Sequence, residues 1–361
     1  MMTVDKHLTP LCFLPNGILV CYKYGMVVLL NEGKIIRAIT IFHNLKERFL
    51  GRSSLLHRLL RLGVRASVAI DDESIIISIG NILYELDLTN GTLSDGYYCG
   101  EGIRPLVLTI VDGIQGFDNG IYFGGYLGNK NKKPVSIYQR VATDKWKTVY
   151  TFPQGTINHV HNIVPDPYRK CLWAFTGDFE ESAAIWKITE NYNNVELIAC
   201  NNQKYRACIA YAFPEGLLYA TDAPFADDYI YLLNPVSMEC KELFPIDGSC
   251  IYGCRWKERY VFSSTVEGDG RNMSRTEWLF TRKRGAGIKD DYVHMYMGNL
   301  HEGFKEIYKE KKDCMPYYTF QFGAFKFPAG VNNSDTLYYQ PVATKGNDLR
   351  LMSMKWGDII K

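Results

Sequence analysis

Three observations predict an all-β fold for this chain of 361 residues. Short apolar runs recur along its whole length, bounded by Gly, Asn, Asp and Pro rather than by helix caps. Aromatic residues make up 14% of the chain, and 25 of them are Tyr, which suits half-buried pleated surfaces. The runs also group into units, and Thr176, Thr221 and Thr265 hold matching places in three successive ones, 45 and 44 residues apart. A repeat of about 40–45 residues with about four strands marks the blade of a β-propeller. One blade cannot bury both of its faces alone. The expectation is a single β-propeller domain over residues 1–361, of about seven four-stranded blades, with one short inserted helix over about 46–65.

The first unit spans Cys12 to Thr40, with strands over 17–22 and 26–30 about Gly25 and a Glu32-Gly33 turn into 34–39. Next comes the one convincing helix, Ser53 to Leu62. Ser53 or Ser54 caps it, Leu55, Leu59 and Leu62 share a face, and Gly63 sits where a helix stops. Its Leu stripe is expected to pack on the sheet edges, leaving Arg52, Arg58 and Arg61, with Arg65 just beyond, in solvent. The second unit has strands over 67–70, 74–79 and 82–87, closed by the 87–92 turn. The third has 120–126 and 135–139, and the fourth 157–163, 172–178 and 183–188. The fifth has 206–212, 217–222 and 228–233. The sixth has 249–255, 260–267, Trp278-Leu279-Phe280 and 293–296, and the seventh 317–323, 336–339 and 349–354.

Composition excludes several classes of function. A net charge of +2 makes no case for a nucleic-acid partner. No apolar run approaches the roughly 20 residues of a membrane helix. Residues Met1 to His7 lack the basic and apolar regions of a secretory leader, so a cytoplasmic location is expected, with export only for a chain whose leader was trimmed. The ten Cys are scattered without CxxC pairs and read as reduced, buried small hydrophobes.

In a propeller the first strand of each blade lines the central channel. The loop leading into it opens on the same face as the loop between second and third strands. That face should gather His159, His161, Arg206, Tyr252 and Arg255 from first strands. From the ends of second strands it should gather Tyr126, Asp178, Asp222 and Glu267. Cations, imidazoles, phenols and carboxylates converging on one mouth suit both ligand binding and proton transfer. His159 and His161 stand two apart on a strand and share a side, as a two-His metal site or a base with its helper would require. Otherwise one of them lines the channel and bonds a neighbouring blade. Asp178 and Asp222 each follow a Thr or a Thr-Gly at a strand end, where an Asp commonly caps the loop. A buried Arg206 demands an acidic partner or an anionic ligand. No cofactor is expected, a divalent metal at His159 and His161 being the open exception.

The pattern His159-x-His161 with Asp166-Pro167-Tyr168, then Leu172-Trp173-Ala174-Phe175-Thr176-Gly177-Asp178 and Ala183-Ala184-Ile185-Trp186, resembles sialidase-like (BNR-type) propellers of bacterial capsule and exopolysaccharide gene clusters. Tyr219-Ala220-Thr221-Asp222-Ala223-Pro224 and Arg58-Leu59-Leu60-Arg61-Leu62-Gly63 are similar to further marks of that group. The Ser-x-Asp-x-Gly-x-Thr-Trp box of sialidases is absent. The resemblance implies handling of an oligo- or polysaccharide, including an acidic one. The leading expectation is a polysaccharide lyase, in which Arg206 or Arg255 neutralises a uronate carboxylate while His159, His161 and Tyr252 move protons. The alternatives are a glycoside hydrolase drawing two carboxylates from Asp178, Asp222 and Glu267, and a non-catalytic propeller that binds glycan or protein in polysaccharide assembly.

Overall fold

The computed structural model describes residues 2–41 and 49–359. Seven sheets, antiparallel but for the short strand Val331–Asn332 that adds in parallel to the sixth, form a seven-bladed β-propeller. Six of them run inner to outer in chain order: 9–40, 67–98, 109–152, 159–199, 207–246 and 250–311. The seventh closes the ring. Its first three strands are Ala324–Lys326, Thr336–Val342 and Arg350–Lys355, and its outermost is the N-terminal Met2–Lys6, in which Met2 pairs with Ser353 and Lys6 with Arg350. Both ends of the chain thus share one sheet, which holds the circle shut.

The strands alternate in period two, so each blade offers an apolar face to both neighbours. Seven apolar clusters accordingly fill the seven interfaces between blades. Val20, Tyr22 and Val27 meet Ile75 and Ile77 between the first two blades, and Leu8, Leu19 and Val28 meet Tyr338 and Leu351 between the seventh and the first. The other five interfaces are filled alike. Each such Val, Leu, Ile or Phe contributes roughly 1.5–3 kcal/mol on burial. Trp173, 1% exposed, also donates its indole N–H to Asp166 at 2.8 Å.

Several sequence expectations change. The third blade begins with Thr109–Val111 and ends with Lys145–Phe152, four strands where two were expected. Residues 278–280 belong to a helix, Arg275–Phe280, because Ser274 and Glu277 form a reciprocal capping box. Tyr317–Phe320 is helical too, and Tyr318 stacks on Trp278 with ring centroids 4.4 Å apart.

The inserted helix, Ser54–Leu59 (α1), is capped by Ser53 as expected; residues 46–48 of the expected insertion lie outside the described residues. Its burial departs from the expectation at the Leu stripe and at Arg58, while Arg52, Arg61 and Arg65 are exposed as expected. Leu55, Leu56, Leu59 and Leu60 are 37–49% exposed while Arg58 is 1% exposed. The Arg58 guanidinium reaches Asp313 at 2.5 Å, Asp348 at 3.1 Å and the Phe320 carbonyl at 2.7 Å. Desolvation of a guanidinium is offset by two carboxylates only where the fold brings both, and the loop leading into the seventh blade and a turn within it do so.

No helix among the described residues is long and apolar enough to cross a membrane. All ten Cys are free thiols, seven of them buried and Cys314 exposed.

Candidate functional site

Backbone pairing builds the channel mouth. The residue leading into an inner strand bonds the residue just past the second strand: Asp222 N–H donates to the Arg206 carbonyl at 3.0 Å, and Arg104 and Tyr126 exchange two such bonds at 3.0 and 3.1 Å. Side chains from both positions therefore stand at one rim. The inner strands of the fourth, fifth and sixth blades also slip register by one residue near their starts, at His161, Cys208 and Ile251. A bulge re-aims the extra residue, and it does so near the strand start in these three blades, as at Leu11 in the first.

At this mouth lies a cavity of about 410 Å³. Tyr126, Asp178, Arg206, Asp222, Tyr252 and Glu267 all line it. A second, largely aliphatic chamber of about 670 Å³ occupies the other end of the channel, and residues such as Tyr252 and Lys326 border both. Arg255 is the correction. It lines the far chamber, is exposed, and donates to the Lys257 carbonyl at 3.0 Å. Three residues along a strand span about 10 Å, enough to carry it from the mouth where Tyr252 stands.

Arg206 is the hub. Its guanidinium lies 3.1 Å from Asp222 and 3.2 Å from Asp178, donates to the Asp178 carbonyl at 3.2 Å, and sits over the Phe179 ring. Burial disfavours its charge, but the two carboxylates raise its pKa above the ordinary value. Burial acts against ionisation of Asp178 as well, yet His159, His161 and Arg206 hold its pKa well below the usual carboxylate range. Neither Asp178 nor Asp222 caps its loop with the carboxylate; that part falls to Asp228, which accepts from Ala223 N–H at 3.0 Å. Glu267, accepting from the Thr265 hydroxyl at 2.5 Å, has its pKa raised to about 7 by burial and then by Asp222. Burial also pushes the Tyr252 phenol up to about 12.

His159 and His161 are 3% and 2% exposed and stand behind Asp178 rather than in the cavity wall. Their Nε2 atoms approach to 3.0 Å and lie 3.1 and 3.3 Å from Asp178 Oδ1. Burial lowers the His161 pKa, against the raising effect of Asp178. The Tyr126 ring packs on His159 with centroids 4.3 Å apart.

Four cations at the cavity were not expected there: Arg61, Arg65, Arg104 and Lys326. Arg61 donates to the Tyr318 carbonyl, Arg65 lies over the Tyr126 ring, and Lys326 lies over the Tyr252 ring. Among the described residues none of the four forms a salt bridge, and Arg104 Nε is buried without a partner. Burial, then the neighbouring arginines Arg65 and Arg61, lower the Lys326 pKa to about 8. Arg65 and Arg104 follow the rule that pointed to Arg206, each preceding an inner strand. Arg104 was hidden because the strand Thr109–Val111 after it went unread.

No protein-family model matches the chain, and no curated protein matches it in sequence. Solved structures do match in shape. One chain from the "Crystal Structure of Mitotic Checkpoint Complex" aligns with TM-score 0.53 at 10% identity, covering 98% of this chain and 88% of that one. A chain from a study of two prolyl endopeptidases gives 0.53 at 11%, covering 94% of this chain and 46% of that one. The β-propeller domain of Myceliophteria thermophila Cps50 (Swd1) gives 0.55 at 10%, covering 97% and 96%. At such identities the likeness is one of fold: what this chain shares with them is the β-propeller.

Proposed function

We propose that this propeller binds an acidic saccharide in the cavity at its channel mouth and acts on it there. One observation carries the reading: Arg61, Arg65, Arg104 and Lys326 surround one cavity with no carboxylate partner. Uncompensated cations at a partly desolvated site cost stability, and an anionic ligand would offset that cost. The facing wall supports a sugar as the anion's carrier. Asp178, Asp222 and Glu267 accept from hydroxyls, and Tyr126 and Tyr252 offer ring faces. The resemblance to sialidase-like propellers of capsule gene clusters points the same way.

For the chemistry, Glu267 is the residue to carry proton transfer, because a carboxyl held near 7 serves as acid or base at neutral pH. The histidine pair stands behind Asp178, outside the cavity lining, and is not assigned that part. Calorimetric titration with a uronate trisaccharide and a neutral trisaccharide of equal length tests binding. Only the acidic one should bind, and Arg104→Ala should weaken it about 10–100-fold. Equal binding of both sugars, or of neither, refutes the reading. Absorbance near the unsaturated-uronate band distinguishes elimination from hydrolysis, and Glu267→Gln should stop either while sparing affinity. Tight binding without turnover leaves a saccharide-binding module.

A further inference from the structure

Behind the cavity wall the two histidines pose a hydrogen-bonding problem that side chains alone do not solve. His159 Nδ1 lies 2.9 Å from the Leu127 carbonyl, and His161 Nδ1 lies 3.2 Å from the Ala207 carbonyl. A carbonyl oxygen only accepts, so each Nδ1 carries the proton and donates it. Unless one ring takes up a second proton and donates it to Asp178, both Nε2 atoms then present lone pairs, and they point at each other across 3.0 Å. Asp178 Oδ1, also an acceptor, completes the triangle at 3.1 and 3.3 Å. Three lone pairs converge on one buried point.

We infer that His159, His161 and Asp178 form a binding site for a first-row divalent transition-metal ion. Metal–nitrogen and metal–oxygen bonds of about 2.0–2.1 Å put neighbouring ligand atoms about 2.8–3.0 Å apart in octahedral sites and about 3.3–3.4 Å apart in tetrahedral ones, and all three edges lie between these limits. Backbone carbonyls on both Nδ1 atoms are the outer partners that fix an imidazole with Nε2 toward an ion. Arg206, 3.2 Å from Asp178 Oδ1, and the Asn158 side chain, accepting from Asp178 N–H at 3.1 Å, hold the carboxylate's segment.

Two further features support the assignment. A Cβ on Gly177 would overlap Cε1 and Nε2 of His161, so only glycine lets that ring lie where it does. Beside it, Asp222 Oδ1 is buried without a hydrogen-bond partner, in a residue 3% exposed, and Asp222 with Cys208 lies within ligand reach of His161. Asp178, with a side chain 30% exposed, lines the cavity, so a bound ion would have its open position on that side. The site is independent of the anionic-saccharide reading, since it rests on the triangle and not on the four cations.

Cobalt(II) is the probe, because its visible absorption reports nitrogen ligation. Full-length protein stripped with chelator should take up one Co²⁺ per chain, with a visible band that Zn²⁺ in excess removes. His159→Ala and Asp178→Asn should each weaken uptake at least 100-fold, and the near-isosteric Asp178→Asn guards against simple unfolding. Gly177→Ala should weaken it by displacing His161. A folded wild-type protein that takes up no stoichiometric Co²⁺ or Zn²⁺ at millimolar metal overturns the inference, and a protonated histidine then satisfies Asp178. Stoichiometric uptake unchanged by both His159→Ala and Asp178→Asn overturns it equally, by putting the ion elsewhere.

Discussion

Replacing Lys326 with Met should make the protein more stable and bind its ligand less well. Lys326 lies only partly open to solvent, between the arginines Arg61 and Arg65, and its pKa falls from the ordinary 10.5 to about 8. At about 1.4 kcal/mol for each tenfold change in the protonation equilibrium, this corresponds to about 3 kcal/mol. Water in the cavity screens part of it, so the range expected is about 1–3 kcal/mol. The sign follows from linkage. An unfolded Lys keeps its proton up to about 10.5, whereas the folded one releases it near 8, so between those values the unfolded state binds more protons. Stability of the wild type therefore rises with pH across that window, and below 8 the full cost is present. Lys326→Met lacks this dependence. Urea denaturation at pH 7 should show the variant about 1–3 kcal/mol more stable, with a smaller gap at pH 9.5. Calorimetry at pH 7 should show acidic trisaccharide binding weakened about 10–100-fold. A variant less stable than wild type at pH 7, or a gap that does not narrow with pH, refutes the account of an uncompensated cation held for an anion.

Arg58→Ala should cost about 3–5 kcal/mol in urea denaturation, because it leaves the mostly buried Asp348 without its cation and Asp313 with Lys312 alone. Leu59→Ser in the same helix should change stability by less than about 0.5 kcal/mol, since that side chain is already 42% exposed; the reverse order would return the Leu stripe to the core. Deleting residues 2–6 uncovers the edge formed by Arg350–Lys355, so size-exclusion chromatography should show self-association and the melting temperature should drop by several degrees. A deletion variant that stays monomeric with an unchanged melting temperature would show that the ring does not need its closing strand.

The short strands, the repeat near 45 residues and the count of seven blades were legible in the sequence, because strand period and turn chemistry are local properties. So was much of the mouth. A rule about which strand ends share a rim gathered Tyr126, Asp178, Arg206, Asp222, Tyr252 and Glu267 from the chain between residues 126 and 267 without knowledge of any contact. It failed at Arg255 because it named a strand and not a depth along it. Only the tertiary structure decided the charge balance. Arg58 looked like a solvated surface residue, and its partner Asp313 lies 255 positions away. Arg61 with Arg65, Arg104 and Lys326 come from three separate stretches, and nothing local shows that they meet around one cavity without forming an ion pair there. The closing strand was equally silent, since backbone pairing carries no side-chain address. The aim of the two histidines required the register slip at His161 and the missing Cβ of Gly177. A sequence states which charges exist; the desolvation and pairing that fix their energies depend on distances that only the folded ring sets.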